Sequence, residues 1–242
     1  MKKITIIVTM AGRGKRFADA GYTCPKYMIT ARTKTLFEWS LDSLTDCLHH
    51  ASDLIFIVQR DDDACGFIRN IVKGYTPLNP KIIELDHVTR GQAETVMKAI
   101  PSCAAESPIL VYNIDTYVEP GELKFSYLQG DGHIPCFKAE GTHWSFVRLD
   151  DYGSVLEVAE KQRISDNCSI GAYYFSSAML YSAIYHETYG VGKKESAFEE
   201  YIAPMYNTLI RRGLAVTISI IDGTKVHVLG TQAELEEFVR QC

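Results

Sequence analysis

The stretch VTMAGRGKRFADAGYTCPKYMI, residues 8–29, places two glycines and two basic residues directly after an apolar run, with a Pro-Lys pair further along. The apolar run ends the segment KKITIIVTM, whose β-branched residues predict a buried strand. In an open α/β sheet, ligands bind beyond the carboxyl ends of the strands, and the loop after the first strand is a common phosphate site. The stretch therefore predicts an α/β fold with a candidate anion-binding loop at its first turn.

The first half of the chain alternates between short strand patterns and longer helical patterns. Strands are predicted at DLIFIVQ, KIIEL and PILVYN, and helices at LFEWSLDSLTDCL, DACGFIRNIVKGY and GQAETVMKAI. Alternation of this kind builds a parallel sheet that helices cover on both faces.

After residue 130, strand patterns follow one another closely, which predicts a mixed or antiparallel extension of the sheet. The segments are the strands HIPCFKA, HWSFVRL, SVLEVAE and IGAYYF, the helices SSAMLYSAIYHETY and SAFEEYIAPMYNTLIRR, the strands AVTISII and KVHVL, and the helix TQAELEEFVRQ. Because no repeat or Pro/Ser-rich linker interrupts the chain, we predict a single domain over residues 1–242. Its fold is a Rossmann-like α/β fold, a mixed, mainly parallel sheet flanked by helices.

Composition limits the possible functions. A chain of 242 residues with 46% hydrophobic and 23% charged residues is ordinary globular material. Its net charge of −5 lacks the field that steers proteins onto nucleic acid or anionic membranes, so we predict neither partner. No apolar run is long enough for a signal peptide or a membrane span, and we expect a cytoplasmic protein. Seven cysteines without a Cys-x-x-Cys pair are interpreted as reduced thiols.

The loop after the first strand has the chemistry of a phosphate site. Gly12 and Gly14 tolerate positive φ and remove the Cβ atoms that would keep a phosphate away from backbone N–H groups. Lys15 and Arg16 add positive charge. The dinucleotide fingerprint is incomplete, because Phe17 stands where its third glycine would be, and the P-loop pattern is absent. On these residues alone, a tight turn with two surface cations is an equal alternative.

The segments GRGKRF and PKYM, with Gly21 between them, resemble the motif of sugar-nucleotide pyrophosphorylases. These nucleotidyltransferases, of GT-A-like fold, join a nucleoside triphosphate (NTP) to a sugar 1-phosphate. The resemblance implies that Lys26 supports the transferring α-phosphate and that Arg16 is its catalytic partner. It also implies that the triphosphate and nucleoside contact a run of residues in the loop: Met10, Ala11, Gly12, Gly14, Lys15 and Arg16. Fixed cations suit this reaction, since they bring two polyanions together and stabilise charge on the phosphorus oxygens.

Two further segments match the same family in the same order. VTRGQAETVMKAI resembles the segment that reads the nucleobase edge, which implies base contacts for Gly91 and Gln92; a helix start with a polar first turn is the alternative. ILVYNIDTYV places Asp115 after an apolar strand, where the family holds its Mg²⁺-binding aspartate. Mg²⁺ needs few protein carboxylates, because phosphate oxygens and water complete its shell. A carboxylate that caps a turn is the alternative here.

The segment DDYGSVLEVAEKQRISDNCSIGAYYF is similar to the part of the family that binds the sugar and its phosphate. The resemblance implies acceptor contacts for Tyr152, Gly153, Glu160, Lys161, Gly171 and Tyr173. Glu160 would accept hydrogen bonds from sugar hydroxyls and Lys161 would contact the phosphate, although a Glu-Lys pair on a strand is commonly a surface pair. The expected division is a nucleotide-binding half over residues 1–130 and an acceptor-binding half over 131–242. Assembly into a homo-oligomer is compatible with the sequence.

Departures from the family pattern point to a divergent branch. Members usually carry a second metal-binding aspartate in an Asp-x-Gly-Thr element, where this chain has Val228 before Gly230 and Thr231. Valine cannot bind a cation, and we consider Asp222 and His227 as substitutes, the first a weak one and the second on the opposite face of its strand. Such differences occur among bacterial capsule and surface-polysaccharide enzymes.

Two other functions remain open at this point. A GT-A-type glycosyltransferase also uses an α/β sheet and a metal aspartate, but it does not need the glycine loop and Pro-Lys pair to hold a triphosphate. A regulatory domain that binds nucleotide without turnover would explain Val228. The pair His143 and Trp144 has no partner at a functional spacing and is predicted to belong to the surface or the core.

Overall fold

The computed structural model describes residues 3–190 and 199–241. Within them the strands are β1 Ile4–Thr9, β2 Thr30–Ala31, β3 Lys34–Thr35, β4 Ala51–Gln59, β5 Lys81–Leu85, β6 Ile109–Asn113, β7 Thr116–Val118, β8 Gly132–Lys138, β9 Ser145–Leu149, β10 Val155–Glu160, β11 Asn167–Ser169, β12 Ala172–Phe175, β13 Val216–Ile221 and β14 Val226–Val228. The α-helices are α1 Lys15–Asp19, α2 Leu36–Ser43, α3 Thr45–His49, α4 Cys65–Val72, α5 Gln92–Ala99, α6 Ala178–Tyr189, α7 Met205–Arg211 and α8 Gln232–Arg240. Short 3₁₀ helices lie at Lys26–Met28, Arg60–Asp62, Ile100–Ser102, Phe125–Tyr127 and Gly223–Lys225.

A mixed sheet of ten strands forms the centre of the described structure. Strands β1, β4, β5 and β6 pair in parallel, and β13 runs parallel to β8. The pairs of β12 with β6 and β8, of β11 with β8 and β9, and of β9 with β10 are antiparallel. The α/β fold with a mixed sheet and flanking helices, predicted from the sequence, is confirmed.

The sheet is buried on both faces in its parallel part. Alternate residues of β1 enter two separate apolar clusters, since Ile6 and Val8 pack in one and Ile7 in the other. A third, smaller cluster contains Phe17, Tyr117 and Phe238. Because these aromatic residues come from α1, β7 and α8, their packing holds both helices beside β7.

The carboxyl ends of β1, β4 and β6 lie at one edge. Thr9, the last residue of β1, is in register with Ile57 of β4 and Asn113 of β6. The loop 10–14 and the residues that follow Asn113 are therefore neighbours, although about a hundred residues separate them in sequence. This edge is where the sequence predicts the ligand site.

Two predicted helices differ from the observed ones. LFEWSLDSLTDCL forms α2 and α3, with the break at Leu44. Of SAFEEYIAPMYNTLIRR, residues 196–198 lie outside the described residues, and the helix begins only at Met205. Residues 199–204 are not helical because the backbone of Glu200 bonds to Arg90 and Ala93, and because Pro204 has no N–H for a helix interior.

In the described ranges, no helix is long and apolar enough to cross a membrane. The six cysteines in these ranges are free thiols, and Cys242 lies outside them.

Candidate active site

The glycine loop connects β1 directly to α1. Gly14 has a φ of 56° and lies immediately before the first residue of α1, a left-handed conformation that favours glycine. A Cβ atom on Gly14 would also lie 3.3 Å from the Cβ of Lys26, so the loop and the Pro-Lys segment are in close contact. Lys15 and Arg16 follow on the exposed side of α1. Two cations therefore stand over the carboxyl end of β1.

Lys26 forms an ion pair with Asp115 across the same edge. The Lys26 Nζ lies 2.6 Å from Asp115 Oδ1, with the lysine side chain 10% exposed and the aspartate side chain 49% exposed. The ammonium also lies 5.2 Å from the centre of the Phe17 ring. A nearly buried ammonium needs a compensating charge, and Asp115 supplies it. The predicted catalytic lysine and the predicted metal-binding aspartate are thus direct neighbours.

Two adjoining cavities meet at this ion pair. The larger, of about 690 Å³, is lined by the glycine loop, Lys26, Gly91, Gln92 and Lys161, among others. The smaller, of about 240 Å³, is lined by Glu160, Gly171 and Tyr173. Lys26 lines the larger of the two only, and the residues that line both are Arg16, Gln92, Asn113, Asp115, Tyr201 and Gly230. A volume of several hundred Å³ is typical of a small-molecule site.

Gly91 and Gln92 both line the larger cavity. The Gln92 Nε2 donates a hydrogen bond to Thr9 Oγ1 over 3.0 Å, which ties the start of α5 to the end of β1. Glycine is required at position 91 because the backbone of Glu200 passes close to it. A Cβ atom on Gly91 would lie 2.4 Å from the carbonyl oxygen and 2.5 Å from the backbone nitrogen of Glu200. The segment that begins at Glu199 therefore packs directly on the start of α5.

We expect Gly91→Ala to lower the free energy of unfolding by about 1–3 kcal/mol, because the new methyl group overlaps the Glu200 backbone. Thermal unfolding measures this. The matched control is Gly66→Ala in α4, where a Cβ atom meets nothing within 4 Å and alanine should be neutral or slightly stabilising. Equal melting temperatures for the two variants would contradict the packing described here.

The acceptor side is built on the β9–β10 hairpin. Ser145 and Glu160 are register partners, and the Ser145 hydroxyl donates to the Glu160 carboxylate. Ser145 Oγ lies 3.1 Å from the Tyr173 hydroxyl. Lys161 has a φ of 55°, a left-handed conformation rare for lysine, and its backbone N–H donates to the Trp144 carbonyl over 2.8 Å. This turn places Glu160 in the smaller cavity and Lys161 in the larger one.

Burial and hydrogen bonding set the ionisation of these groups. Burial raises the pKa of Glu160 above its usual value, partly offset by the Ser145 hydrogen bond. The hydrogen bond from the Lys161 ammonium to the Tyr201 hydroxyl raises the pKa of Lys161, which favours its charged form. Burial raises the pKa of Tyr173 to about 12, so its hydroxyl is neutral and can donate. The site therefore presents the charged Lys161 ammonium and the neutral Tyr173 hydroxyl.

Tyr152 and Gly153, two residues predicted to contact the acceptor, do not line either cavity of the described structure. They form the turn between β9 and β10, and the Tyr152 side chain is 95% exposed. Because Ser145 pairs with Glu160, the turn is at the opposite end of the hairpin, roughly 15 Å away at about 3.3 Å per residue. A Tyr-Gly pair near Glu160 in sequence is distant from it in space.

His143 and Trp144 occupy the position that the Tyr-Gly pair was expected to fill. Both line the smaller cavity, and their ring centres are 4.1 Å apart. The Trp144 Nε1 donates to the Glu140 carbonyl over 2.8 Å, which fixes the indole beside the site. The register of the hairpin would have predicted this position of His143 and Trp144. Because Ser145 pairs with Glu160, the residues just before Ser145 must lie next to those just after Glu160.

Neither substitute considered for the missing aspartate reaches the cavities. Asp222 is exposed and accepts hydrogen bonds from Thr224, at the end of β13. His227 stacks on Tyr117 with ring centres 5.2 Å apart, on the face of β14 away from the site. Val228 does line the smaller cavity, because β14 pairs with β7 and sets Val228 opposite Thr116.

This chain is similar to several solved structures. A nucleoside-diphosphate-sugar pyrophosphorylase from Vibrio cholerae RC9 is 36% identical with a TM-score of 0.88, covering 98% of this chain and 100% of that one. The inositol-1-phosphate CTP transferase from T. maritima is 15% identical with a TM-score of 0.79, covering 100% and 95%. The CTP:phosphocholine cytidylyltransferase from Streptococcus pneumoniae is 14% identical with a TM-score of 0.76, covering 99% and 99%. The last two show likeness of fold alone.

Family models and curated proteins give no match to this sequence. The similarity to the Vibrio protein supports a nucleotidyltransferase that acts on sugar phosphates or similar substrates. The chain belongs to the family of nucleoside-diphosphate-sugar pyrophosphorylases, as its relationship to the Vibrio protein shows. This membership favours nucleotidyl transfer over the two alternatives, a GT-A-type glycosyltransferase and a regulatory domain without turnover.

Proposed function

We propose that this chain transfers the nucleoside monophosphate of an NTP to a sugar 1-phosphate, or to a similar phosphorylated small molecule, and releases pyrophosphate. The observation that carries the proposal is the 2.6 Å ion pair of Lys26 with Asp115 where the two cavities meet. A cation at such a junction can reach the phosphorus at which one substrate is joined to the other. In this proposal residues 1–130 supply most of the lining of the larger cavity, and residues 131–242 supply most of the lining of the smaller one.

In this proposal the larger cavity holds the NTP. The backbone of Met10 to Gly14 and the cations Lys15 and Arg16 surround the triphosphate. Gly91 and Gln92 face the nucleobase, whose edge pairs with an amide that both donates and accepts hydrogen bonds. One N–H of the Gln92 amide donates to Thr9, which leaves the amide oxygen and the second N–H to turn to a base.

The smaller cavity holds the acceptor. Glu160, Ser145 and Tyr173 offer hydrogen bonds to hydroxyl groups, and Trp144 offers an apolar face to a ring. Lys161 follows Glu160 directly and lines the larger cavity, where it would contact the acceptor phosphate. Gly171 permits the close packing of Asn113, because a Cβ atom at Gly171 would lie 2.0 Å from the Asn113 amide nitrogen.

The carboxylate of Asp115 fits a Mg²⁺ site that is completed by substrate. It is half exposed and lines both cavities. The described residues contain no group of three or more His, Cys, Asp and Glu side chains that could hold a metal by themselves. Mg²⁺ commonly binds through one or two carboxylates with phosphate oxygens and water, which matches this arrangement. When bound, Mg²⁺ would neutralise charge on the phosphate oxygens.

The reaction needs positioning and charge stabilisation more than proton transfer. An acceptor phosphate oxygen attacks the α-phosphorus, and the bond from that phosphorus to the oxygen bridging the β-phosphate breaks as pyrophosphate leaves. A phosphate monoester has a second pKa of about 6 and is already anionic at neutral pH, so no residue has to act as a base. Lys26 and Arg16 stabilise charge on the phosphorus oxygens, and Lys161 holds the nucleophile in line.

A coupled assay for pyrophosphate tests the proposal and identifies the substrates. Each of the common NTPs is incubated with Mg²⁺ and a panel of sugar 1-phosphates, inositol 1-phosphate and phosphocholine. We expect pyrophosphate from one base and one class of acceptor. A product sugar of the kind found in surface polysaccharides would support a role in capsule synthesis, and a cytoplasmic location remains a prediction. If no NTP and acceptor pair yields pyrophosphate, while a nucleotide sugar is consumed to its nucleoside diphosphate, the protein is a glycosyltransferase.

We expect Trp144→Ala to raise the acceptor KM by about tenfold, equivalent to about 1.4 kcal/mol of binding, with little change in the KM for NTP. The reason is that Trp144 lines the smaller cavity and does not line the larger one. Tyr152→Ala is the matched aromatic deletion and should leave both constants unchanged, because that ring is 95% exposed. A larger effect at Tyr152 than at Trp144 would restore the site expected from the sequence.

A further inference from the structure

A carboxylate other than the family's second aspartate reaches the cavity beside Asp115. Glu234 lies in the first turn of α8, and its side chain lines the smaller cavity with Asp115, Val228 and Gly230. In the sequence, Glu234 lies in the helix that follows Gly230 and Thr231. It is therefore outside the Asp-x-Gly-Thr element of the family pattern. The chain therefore has a second acidic group at this edge, supplied from a different element.

One oxygen of Glu234 is buried and has no partner. Its Oε2 atom is among three buried side-chain polar atoms in the described residues that lack any hydrogen bond. Leaving a charged oxygen buried without a partner costs free energy. Such an atom at the wall of a cavity is accounted for when a ligand supplies the missing contact.

A comparison within the same chain shows that the helix does not use this carboxylate. Helix α2 begins with Thr35 and Glu38 in a complete capping box: the Glu38 side chain accepts from the Thr35 N–H over 2.8 Å, and the Glu38 N–H donates back to Thr35 Oγ1. Helix α8 has the same spacing, but only the second bond is present, from the Glu234 N–H to Thr231 Oγ1 over 3.3 Å. The Glu234 carboxylate is directed elsewhere.

Gly230 leaves open the space that Glu234 and Asp115 share. A Cβ atom on Gly230 would lie 3.3 Å from Glu234 Oε2 and 3.8 Å from Asp115 Oδ2. Both carboxylates therefore border one small volume that any other residue at position 230 would partly fill. A cation bound in that volume would compensate both carboxylates, whereas among the described residues the Lys26 ammonium forms its ion pair with Asp115.

We propose that Glu234 is the second carboxylate of the Mg²⁺ site and takes the place of the aspartate that Val228 replaces. The inference rests on the proposed function, since triphosphate oxygens complete the shell. Carboxylate oxygens are the ligands that Mg²⁺ prefers. The glutamate in the first turn of α8 comes later in the chain than an aspartate on β14 would, but its carboxylate borders the same volume beside Asp115. Helix α8, and with it Glu234, is held in place because Leu235 and Phe238 pack in the small aromatic cluster.

The test measures metal binding separately from turnover, with Mn²⁺ as a spectroscopic probe. Electron paramagnetic resonance titrates Mn²⁺ into protein saturated with an α,β-methylene NTP analogue of the base found in the screen. We expect Glu234→Gln to weaken Mn²⁺ binding by about tenfold or more. Glu236→Gln is the control, because Glu236 is on the same helix, is exposed, and bonds only to Gln232. Adding Val228→Asp to the Glu234→Gln variant should restore binding, since position 228 faces the same cavity.

Two results would overturn the inference. Unchanged Mn²⁺ affinity in a folded Glu234→Gln variant with a raised acceptor KM would make Glu234 an acceptor contact. Unchanged affinity with a lower melting temperature would make it a structural residue of α8. Either result leaves the proposed function standing if the wild-type protein forms pyrophosphate. Failure of the proposed function is recognised separately, by the absence of pyrophosphate from wild type.

Discussion

Lys26→Ala is expected to lower kcat by about a hundredfold to a thousandfold while the protein stays folded. The variant removes a cation that is 10% exposed and fixed by Asp115 at the junction of the two cavities. Loss of one preorganised donor to charge developing on an oxyanion typically costs about 2.7–4 kcal/mol of transition-state stabilisation. Steady-state kinetics with the substrates from the screen measure kcat. Arg16→Ala should act in the same direction, because Arg16 also lines both cavities.

A second lysine–aspartate pair provides the control for Lys26. Lys81 Nζ lies 2.8 Å from Asp53 Oδ1, at the start of β5 and therefore at the opposite edge of the sheet from the site. Lys81→Ala removes a comparable ion pair and should leave kcat unchanged. If Lys26→Ala retains wild-type kcat, the lysine serves only to neutralise Asp115 and has no role at the α-phosphate.

Asp115→Asn is expected to reduce Mg²⁺-dependent turnover by at least about a hundredfold. The amide keeps the shape of the side chain but loses the charge that would hold the metal with the NTP oxygens. The fold should survive because the Asp115 side chain is half exposed and its backbone bonds to Leu229 and Asn113 are retained. The rate is measured over a range of Mg²⁺ concentrations, and circular dichroism confirms that the variant is folded.

Asp222→Asn is the matched control for Asp115→Asn. Asp222 is the first carboxylate before Val228 in the sequence, yet it lies outside both cavities and accepts hydrogen bonds from Thr224. Its variant should show the wild-type Mg²⁺ dependence. A folded Asp115→Asn protein that turns over normally with Mg²⁺ would show that Asp115 acts only as the partner of Lys26.

The nucleotide side of the site was largely predictable from the sequence because its residues follow the ends of parallel strands. Gly12, Gly14, Gly91 and Asp115 each lie shortly after an apolar run, and parallel strands end at a common edge. Lys26 differs from these residues because it does not directly follow a strand of the main sheet. It was predicted from the Pro-Lys motif instead. Their proximity is observed, and their individual roles remain proposals.

The acceptor side was less predictable because antiparallel hairpins reverse the relation between sequence and space. Tyr152 is eight positions before Glu160 yet lies at the far end of the hairpin, whereas Trp144 is adjacent to Lys161 through a backbone hydrogen bond. Glu234 was missed for a different reason. Glu234 lies three residues after Thr231, a spacing that predicts a capping box at the start of α8. Only the geometry shows that the Glu234 carboxylate makes no capping bond.

The most direct measurement of the central claim is a ³¹P nuclear magnetic resonance spectrum of wild-type protein with Mg²⁺, an NTP and its acceptor. We expect the β- and γ-phosphate signals of the NTP to be replaced by pyrophosphate, and the acceptor monoester to be replaced by the coupled doublets of a new diphosphate diester. The products should appear in equal amounts. Conversion of NTP to nucleoside diphosphate and orthophosphate, or disappearance of NTP with the acceptor signal unchanged, would contradict transfer of the nucleoside monophosphate to the acceptor.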